Sequence, residues 1–201
     1  MKALLSVAAI AASVLTAAPA SAVILGFDDI STDYEAVVPN GYGGFNWSNF
    51  LLVHKDLFPG SGYDHGTVSG DFTAVNGWSN PASITVDSGT FSFESAWFTG
   101  AWDVMTLTIE GFTDHDNVAD FTASFEWGTD MPYHFEAGWN GLQRLTISAT
   151  TIASDVPTWV AIDDLEINLD QTTEVPEPLT IGLLGMGLLG VAGARRRRRT
   201  A

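Results

Sequence analysis

Residues 90–98 read Thr-Phe-Ser-Phe-Glu-Ser-Ala-Trp-Phe, so apolar and polar side chains alternate over most of this stretch. A period of two is typical of a β-strand with one buried face. The same pattern recurs in residues 82–86, 105–110, 121–127 and 145–150, with Gly, Asn, Asp and Pro between the runs, and helical periodicity is missing from 23 to 174. The sequence therefore predicts an all-β fold, an antiparallel β-sandwich or jelly roll, over residues 23–174.

The two ends of this predicted β-domain carry similar acidic segments. The first is Ile24-Leu25-Gly26-Phe27-Asp28-Asp29-Ile30, and the last is Val160-Ala161-Ile162-Asp163-Asp164-Leu165-Glu166-Ile167. First and last strands of a sandwich often pair, which would bring four mutually repelling carboxylates together, and Ca²⁺ prefers such oxygen ligands. Two interpretations stay open: a structural calcium site at Asp28, Asp29, Asp163 and Asp164, or strand-end turns whose aspartates face water.

The N-terminus has the features of a secretory signal peptide. Lys2 precedes an apolar run from Ala3 to Ala18, and the small residues Ala20 and Ala22 follow at the spacing that a signal peptidase reads. We expect residues 1–22 to form a signal helix that is removed by cleavage after Ala22.

The C-terminal segment, residues 175–201, has three parts. A Pro-rich motif at 175–178 contains Pro176, Glu177 and Pro178, an apolar stretch runs from Leu179 to Ala194, and a basic cluster consists of Arg195, Arg196, Arg197, Arg198 and Arg199. The apolar stretch is just long enough for a transmembrane helix. Arginines on the cytoplasmic side would place the β-domain on the outer side of that membrane.

This order of motif, apolar helix and arginine cluster resembles the PEP-CTERM sorting signal of Gram-negative bacteria. The resemblance implies that Pro176, Glu177 and Pro178 are read by an exosortase, that the chain resides transiently in the inner membrane, and that it ends at the cell surface or outside, in extracellular polysaccharide or biofilm. A permanent tail anchor is the alternative. Separately, Ala161-Ile162-Asp163-Asp164-Leu165 resembles the last strand of galactose-binding-like jelly rolls, whose acidic end strands can carry structural calcium.

Charge and cysteine content exclude several classes of function. Lys55 and Arg144 are the only basic residues between 23 and 174, whereas every acidic residue except Glu177 lies there. Such a surface repels phosphate backbones, so we expect no nucleic-acid partner, and it suits divalent cations or neutral sugars. The chain has no cysteine, which excludes disulfides and cysteine-ligated zinc.

Seven tryptophans are many for a domain of this size. Aromatic faces stack on sugar rings, while neighbouring polar groups bind the hydroxyls. Trp78, Trp102, Trp127 and Trp139 stand beside turn residues, so we expect them to be exposed and to bind ligand. Trp47, Trp97 and Trp159 lie within strand-like runs and are expected in the core.

Catalytic signatures are missing from the sequence. There is no G-x-S-x-G or H-E-x-x-H motif, and the four histidines lack metal-ligand spacing. We therefore expect an exported carbohydrate-binding or exopolysaccharide-binding protein and no enzyme. A structural matrix component without a discrete ligand is the main alternative, and a glycosidase or an ice-binding protein is less favoured.

Overall fold

The computed structural model describes residues 23–152 and 156–170, which form two antiparallel β-sheets and confirm the predicted sandwich. The first sheet contains β1 (Val23–Leu25), β2 (Glu35–Val37), β4 (Phe50–His54), β5 (Phe72–Asn76), β7 (Phe91–Gly100), β10 (Tyr133–Leu142) and β12 (Val160–Leu169). The second contains β3 (Asn46–Ser48), β6 (Ala82–Thr85), β8 (Met105–Phe112), β9 (Phe121–Trp127) and β11 (Arg144–Thr151).

The order of strands in the first sheet places the first and last strands of the described chain side by side. The first sheet runs β10-β7-β12-β5-β4-β2, with β1 also pairing with β12, and the second runs β3-β6-β11-β8-β9. Leu25 of β1 lies opposite Leu165 of β12. The predicted pairing of first and last strands is therefore confirmed.

The main core fills the space between the sheets. The first sheet contributes Phe91, Phe93, Phe98, Leu165 and Ile167, and the second contributes Ile84, Leu107, Ile109, Leu145 and Ile147, all of them buried. Their neighbours along each strand point outward, as the period of two predicts. Each such side chain stabilises the fold by roughly 1.5–3 kcal/mol, so an acidic domain without disulfides can be held by this core.

A second hydrophobic cluster lies on the outer face of the first sheet. The one-turn helix α1 (Gly62–Gly66) begins after Ser61, whose hydroxyl accepts a hydrogen bond from the Tyr63 backbone N–H. It buries Tyr63 against Val75 and Ala161. Gly62 is required here because a Cβ atom would collide with the Gly100 carbonyl oxygen. A single helical turn is too short to produce periodicity, so the sequence did not predict it.

The remaining segments are short connections. A 3₁₀ turn occurs at Lys55–Leu57, and the tight turns at Tyr42–Gly44 and Gly77–Ser79 contain residues with left-handed backbone conformation. Residues 113–120 connect the antiparallel strands β8 and β9, and Asp114, Asp116 and Asp120 accept local backbone hydrogen bonds there. This acidic segment is thus a hairpin turn.

Several predictions fall outside the described residues. They are the signal peptide with Ala20 and Ala22, the sorting motif Pro176-Glu177-Pro178, the apolar helix 179–194 and the arginine cluster. Within 23–152 and 156–170, no helix is both long enough and apolar enough to cross a membrane.

Candidate functional site

Four connecting segments meet at one end of the sandwich, which we call the tryptophan end: residues 77–81, 101–104, 128–132 and 156–159. Backbone hydrogen bonds join Ala101 N to Trp159 O at 2.9 Å and Gly100 N to Gly128 O at 3.0 Å. The Thr158 N–H donates to the Ser79 hydroxyl at 2.9 Å. These contacts bring Trp78, Trp102, Trp127 and Trp159 to the same end of the fold.

Two of these tryptophans are exposed. Trp78 is 73% exposed and Trp102 is 42% exposed. Trp78 packs edge-on against Trp159 with ring centroids 6.5 Å apart, and Trp102 packs against Phe58 and Tyr63 at 5.2 and 5.3 Å. The Tyr63 ring also lies 6.2 Å from the Trp159 ring, so this buried tyrosine links Trp102 with Trp159 and Trp78 in one aromatic cluster.

A cavity of about 370 Å³ lies beside Trp127. Its lining consists of Val104, Glu126, Trp127, Gly128, Asp130 and Met131. The Trp127 indole N–H donates to the Met131 carbonyl at 2.6 Å, which fixes the ring at the cavity wall. Val104 and Met131 are exposed. An aromatic wall, an apolar rim and two carboxylates therefore share one depression.

Tyr63 contributes a buried polar group beneath the aromatic surface. The residue is fully buried, and its hydroxyl makes no hydrogen bond of ordinary geometry with a described residue, although the Trp102 side chain lies close enough to interact with it. Burial raises the pKa of this phenol above its ordinary range. Nothing in the sequence marks Tyr63, because the surrounding Ser-Gly-Tyr reads as a loop.

The two cations of the described chain lie elsewhere. Lys55 Nζ pairs with Asp71 at 2.7 Å, and the Arg144 guanidinium lies 3.8 Å from the centre of the Phe112 ring. The tryptophan end thus presents aromatic rings and the acids Glu126 and Asp130 without a lysine or arginine from this part of the chain. Within the described residues, this end therefore offers an anionic ligand no lysine or arginine side chain.

The exposure predicted for Trp139 and Trp127 is wrong. Trp139 stacks on Phe121 at 5.4 Å, packs edge-on against Phe93, and is half-buried against the main core. Trp127 is likewise half-buried against that core, although one side faces the cavity. Both belong to strands with inward-facing alternate positions, and this alternation outweighs the adjacent turn residues. Trp139 also lies apart from the tryptophan end, beside the start of β9.

The three tryptophans expected in the core have different environments. Trp47 is buried in the main core, as predicted, and Trp159 packs against the second cluster. Trp97 enters neither cluster: its ring lies on the outer face of the first sheet against His134, with centroids 4.6 Å apart.

Three of the four predicted calcium ligands meet around one loop. Asp163 is fully buried and accepts hydrogen bonds from the Val68 and Ser69 N–H groups at 2.8 and 2.9 Å. Asp164 accepts from the Ser69 hydroxyl at 2.6 Å, and Asp28 accepts from the Asp71 N–H at 2.6 Å. Burial raises the pKa of Asp163 to about 7, against the opposing effect of its N–H donors.

Asp29 lies apart from this group, since it accepts from the Tyr42 hydroxyl at 2.9 Å. In the two described ranges, no three His, Cys, Asp or Glu side chains are arranged to hold a metal ion. Backbone N–H groups, which the sequence does not reveal, satisfy much of the charge that the calcium was expected to neutralise. The calcium site stays a prediction.

A second depression, of about 540 Å³, lies on the outer face of the first sheet. It is lined by Glu94, Ser95, His134, Glu136, Gly138, Glu166 and Asn168. The lining offers hydrogen-bond acceptors but no tryptophan, tyrosine or phenylalanine face. It is therefore less suited to stacking on a sugar ring than the tryptophan end.

Comparison with known proteins identifies the C-terminal segment. The PEP-CTERM protein-sorting motif matches residues 174–198, which confirms the predicted sorting signal. The chain thus has the sorting signal of bacterial proteins that an exosortase processes for display at the surface. No curated protein matches the chain at a significant level.

Among solved structures, the chain is similar to TmCBM61, described in complex with beta-1,4-galactotriose. The identity is 11% and the TM-score is 0.35, over 70% of this chain and all of that chain. A TM-score of this size marks a distant likeness.

Proposed function

We propose that this protein is a surface-displayed polysaccharide-binding module whose tryptophan end contacts neutral glycan chains. The observation that carries the proposal is the convergence of Trp78, Trp102 and Trp127 from distant parts of the sequence on one end of the fold. Three of the four tryptophans predicted to bind ligand therefore lie at the same end of the fold, although nothing in their sequence positions indicates that they are neighbours.

The chemistry of this end fits sugars. The exposed rings of Trp78 and Trp102 can stack on the C–H faces of pyranose rings. Beside Trp127, the carboxylates of Glu126 and Asp130 can accept hydrogen bonds from hydroxyl groups. Because neither Lys55 nor Arg144 lies there, neutral glycans fit better than acidic ones.

The export route supports the same proposal. A signal peptide cleaved after Ala22 would deliver the domain across the inner membrane of a Gram-negative bacterium, and an exosortase would release it near Pro176-Glu177-Pro178. The domain would then lie outside the cell among secreted polysaccharides. A structural matrix role without a ligand uses the same route but needs no exposed aromatic surface.

Retention on immobilised cellulose, xylan, galactan and starch tests the proposal, with the processed protein and its Trp78→Ala and Trp102→Ala variants. Tyr34→Ala is the matched control, because Tyr34 is 52% exposed and contacts His54 at the opposite end of β4 from Asn49 and Gly77. Weaker retention of both tryptophan variants, but not of the control, supports the proposal. Unchanged retention of folded variants on every polysaccharide favours the structural matrix role.

A further inference from the structure

Trp78 is held in a backbone conformation that bulky residues rarely adopt. Its φ is 54°, and the φ of the next residue, Ser79, is 55°. Both values lie in the left-handed region, where the Cβ atom crowds the following carbonyl. Two consecutive residues of this kind persist only where surrounding contacts determine the conformation. The turn therefore presents the most exposed tryptophan of the described chain at a cost in stability.

Asn49 supplies most of those contacts. The two N–H groups of its side-chain amide are shared among three carbonyl oxygens, those of Gly77 at 2.8 Å, Asn80 at 3.1 Å and Pro81 at 3.1 Å from the nitrogen. The Gly77 N–H in turn donates to the Asn49 carbonyl at 2.8 Å. A Cβ on Gly77 would lie only 2.5 Å from Asn49 Oδ1, so this close approach requires glycine. One side chain thus binds both ends of the turn.

The turn is fixed from its other side as well. Asn76 donates to the carbonyl oxygens of Asn80 at 3.1 Å and Thr158 at 2.9 Å. The Ser79 hydroxyl accepts from the Thr158 N–H. Since Thr158 precedes Trp159, the same network sets the ring on which Trp78 rests.

We propose that Asn49 is a positioning residue: it holds the Trp78 ring in one orientation, ready to contact ligand. The inference rests on the proposed function for its effect on binding, but its effect on the ring does not depend on any ligand. A preorganised ring loses less conformational entropy when it binds than a mobile one. Asn49 therefore strengthens binding without touching the glycan.

Asn49→Gly is the decisive variant. Asn49 itself has a φ of 61°, which glycine adopts without strain, so the substitution removes the amide hydrogen bonds to the turn and little else. Asn49→Asp is the second variant, because aspartate tolerates the same φ but faces the three carbonyls with an oxygen. Ile147→Val, in the main core, is the control for a general loss of stability.

The first measurement is the ¹⁵N order parameter of the Trp78 indole, assigned by its loss in Trp78→Ala. We expect a clear decrease in Asn49→Gly and Asn49→Asp and none in Ile147→Val. An unchanged order parameter in folded Asn49 variants overturns the inference, whatever the protein binds.

The second measurement is a double-mutant cycle on the best-retaining of the four polysaccharides. Asn49→Gly should weaken binding about three- to tenfold in the wild-type background and have no further effect in Trp78→Ala. If Asn49 only stabilised the fold, Asn49→Gly would weaken binding equally in the wild-type and Trp78→Ala backgrounds. Equal effects would therefore contradict the inference. By contrast, a Trp78→Ala variant that binds as well as wild type contradicts the proposed function, while the order parameter still decides the role of Asn49.

Discussion

Trp78 meets Trp159 nearly at a right angle, with an interplanar angle of 81°. Trp159 is half-buried on the second hydrophobic cluster, so the exposed ring rests on a ring that the core holds in place. The two residues thus connect the packing of the fold with the surface proposed to bind glycan.

The strained backbone at Trp78 predicts that glycine is more stable than alanine at this position, the reverse of the usual order. Trp78→Gly and Trp78→Ala both remove the contact with Trp159, but only glycine accepts a φ of 54° freely. We expect Trp78→Gly to be more stable than Trp78→Ala by about 1 kcal/mol in denaturant unfolding. The same pair at Thr122, an exposed position within β9, is the control and should show the usual preference for alanine over glycine. Equal stability of the two Trp78 variants would show that the turn is not strained.

Trp102 and Trp139 should respond differently to truncation. Trp102→Ala removes an exposed ring, so we expect weaker glycan retention, about five- to hundredfold, with a small loss of stability. Trp139→Ala removes a ring packed on Phe121 and Phe93, so we expect a loss of about 3 kcal/mol in unfolding free energy and unchanged retention. Thermal unfolding and retention of the same samples separate the two effects. Weaker retention of Trp139→Ala with unchanged retention of Trp102→Ala would place the binding site elsewhere.

The fold could be predicted because alternation is a local signal. Residues 91–98 and 105–110 were recognised as strands from their own sequence alone. The similar acidic segments around Asp28 and Asp163 correctly indicated that the first and last strands pair. The partners of those aspartates could not be predicted. Backbone N–H groups of the loop at Val68 and Ser69 have no sequence signature, yet they satisfy the Asp163 carboxylate.

The candidate site could be predicted only in part. Trp78 and Trp102 follow strands and are exposed as expected, but Trp127 belongs to a strand face that turns inward. The left-handed backbone of Trp78 could not be predicted either, because the local preference of tryptophan opposes it. Contacts from residues distant in sequence, chiefly Asn49, impose this conformation. Tertiary contacts, not local pattern, decide these features.

Calcium is expected to stabilise the fold through Asp28 and Asp164. Asp28 Oδ2 and Asp164 Oδ1 both lie near Gly26, 3.6 and 3.5 Å from the point that a Cβ there would occupy. A shared Ca²⁺ would draw both oxygens to about 2.3–2.6 Å from the ion, with carbonyls or water as further ligands. Calcium at about a hundredfold above its Kd should add about 2.7 kcal/mol, and chelation should remove it. Asp28→Asn and Asp164→Asn should abolish the rise in Tm. Asp33→Asn, at an exposed aspartate between β1 and β2, is the control and should not. An undiminished rise in Asp164→Asn would contradict this site.

Sorting predicts a loss of both chain ends. Intact-mass measurement on protein from the native host should show cleavage after Ala22 and processing near Pro176-Glu177-Pro178, where the matched motif lies. Glu177→Gln should leave the full-length tail in the inner membrane, while Glu174→Gln, at the first residue of the matched segment, is the control. Full-length tail recovered from the membrane in the wild type would indicate a permanent anchor.

Tyr63→Phe should stabilise the protein. The Tyr63 hydroxyl is buried and makes no well-aligned hydrogen bond with a described residue, since the nearby Trp102 side chain does not meet it in good geometry. A buried hydroxyl without a good partner costs about 1–3 kcal/mol relative to solvent. Phenylalanine keeps the ring contacts with Trp102 and Trp159 and removes only the hydroxyl. We expect unfolding at neutral pH to show a gain of about 1 kcal/mol. A loss of that size would mean that the hydroxyl has a partner in solution.

The same variant predicts a pH dependence. Burial raises the pKa of Tyr63, so the folded chain keeps the phenol proton at pH values where the unfolded chain, with a pKa near 10, loses it. The unfolded state then binds fewer protons than the folded state, and stability falls as pH rises above about 10. Tyr63→Phe has no such proton, so its stability should fall less steeply over that range, while the two proteins run parallel below about pH 9. Tyr34→Phe, which removes an exposed tyrosine hydroxyl, is the control and should follow the wild type. Equal alkaline slopes for Tyr63→Phe and the wild type would show that Tyr63 ionises as freely in the folded chain as in the unfolded one.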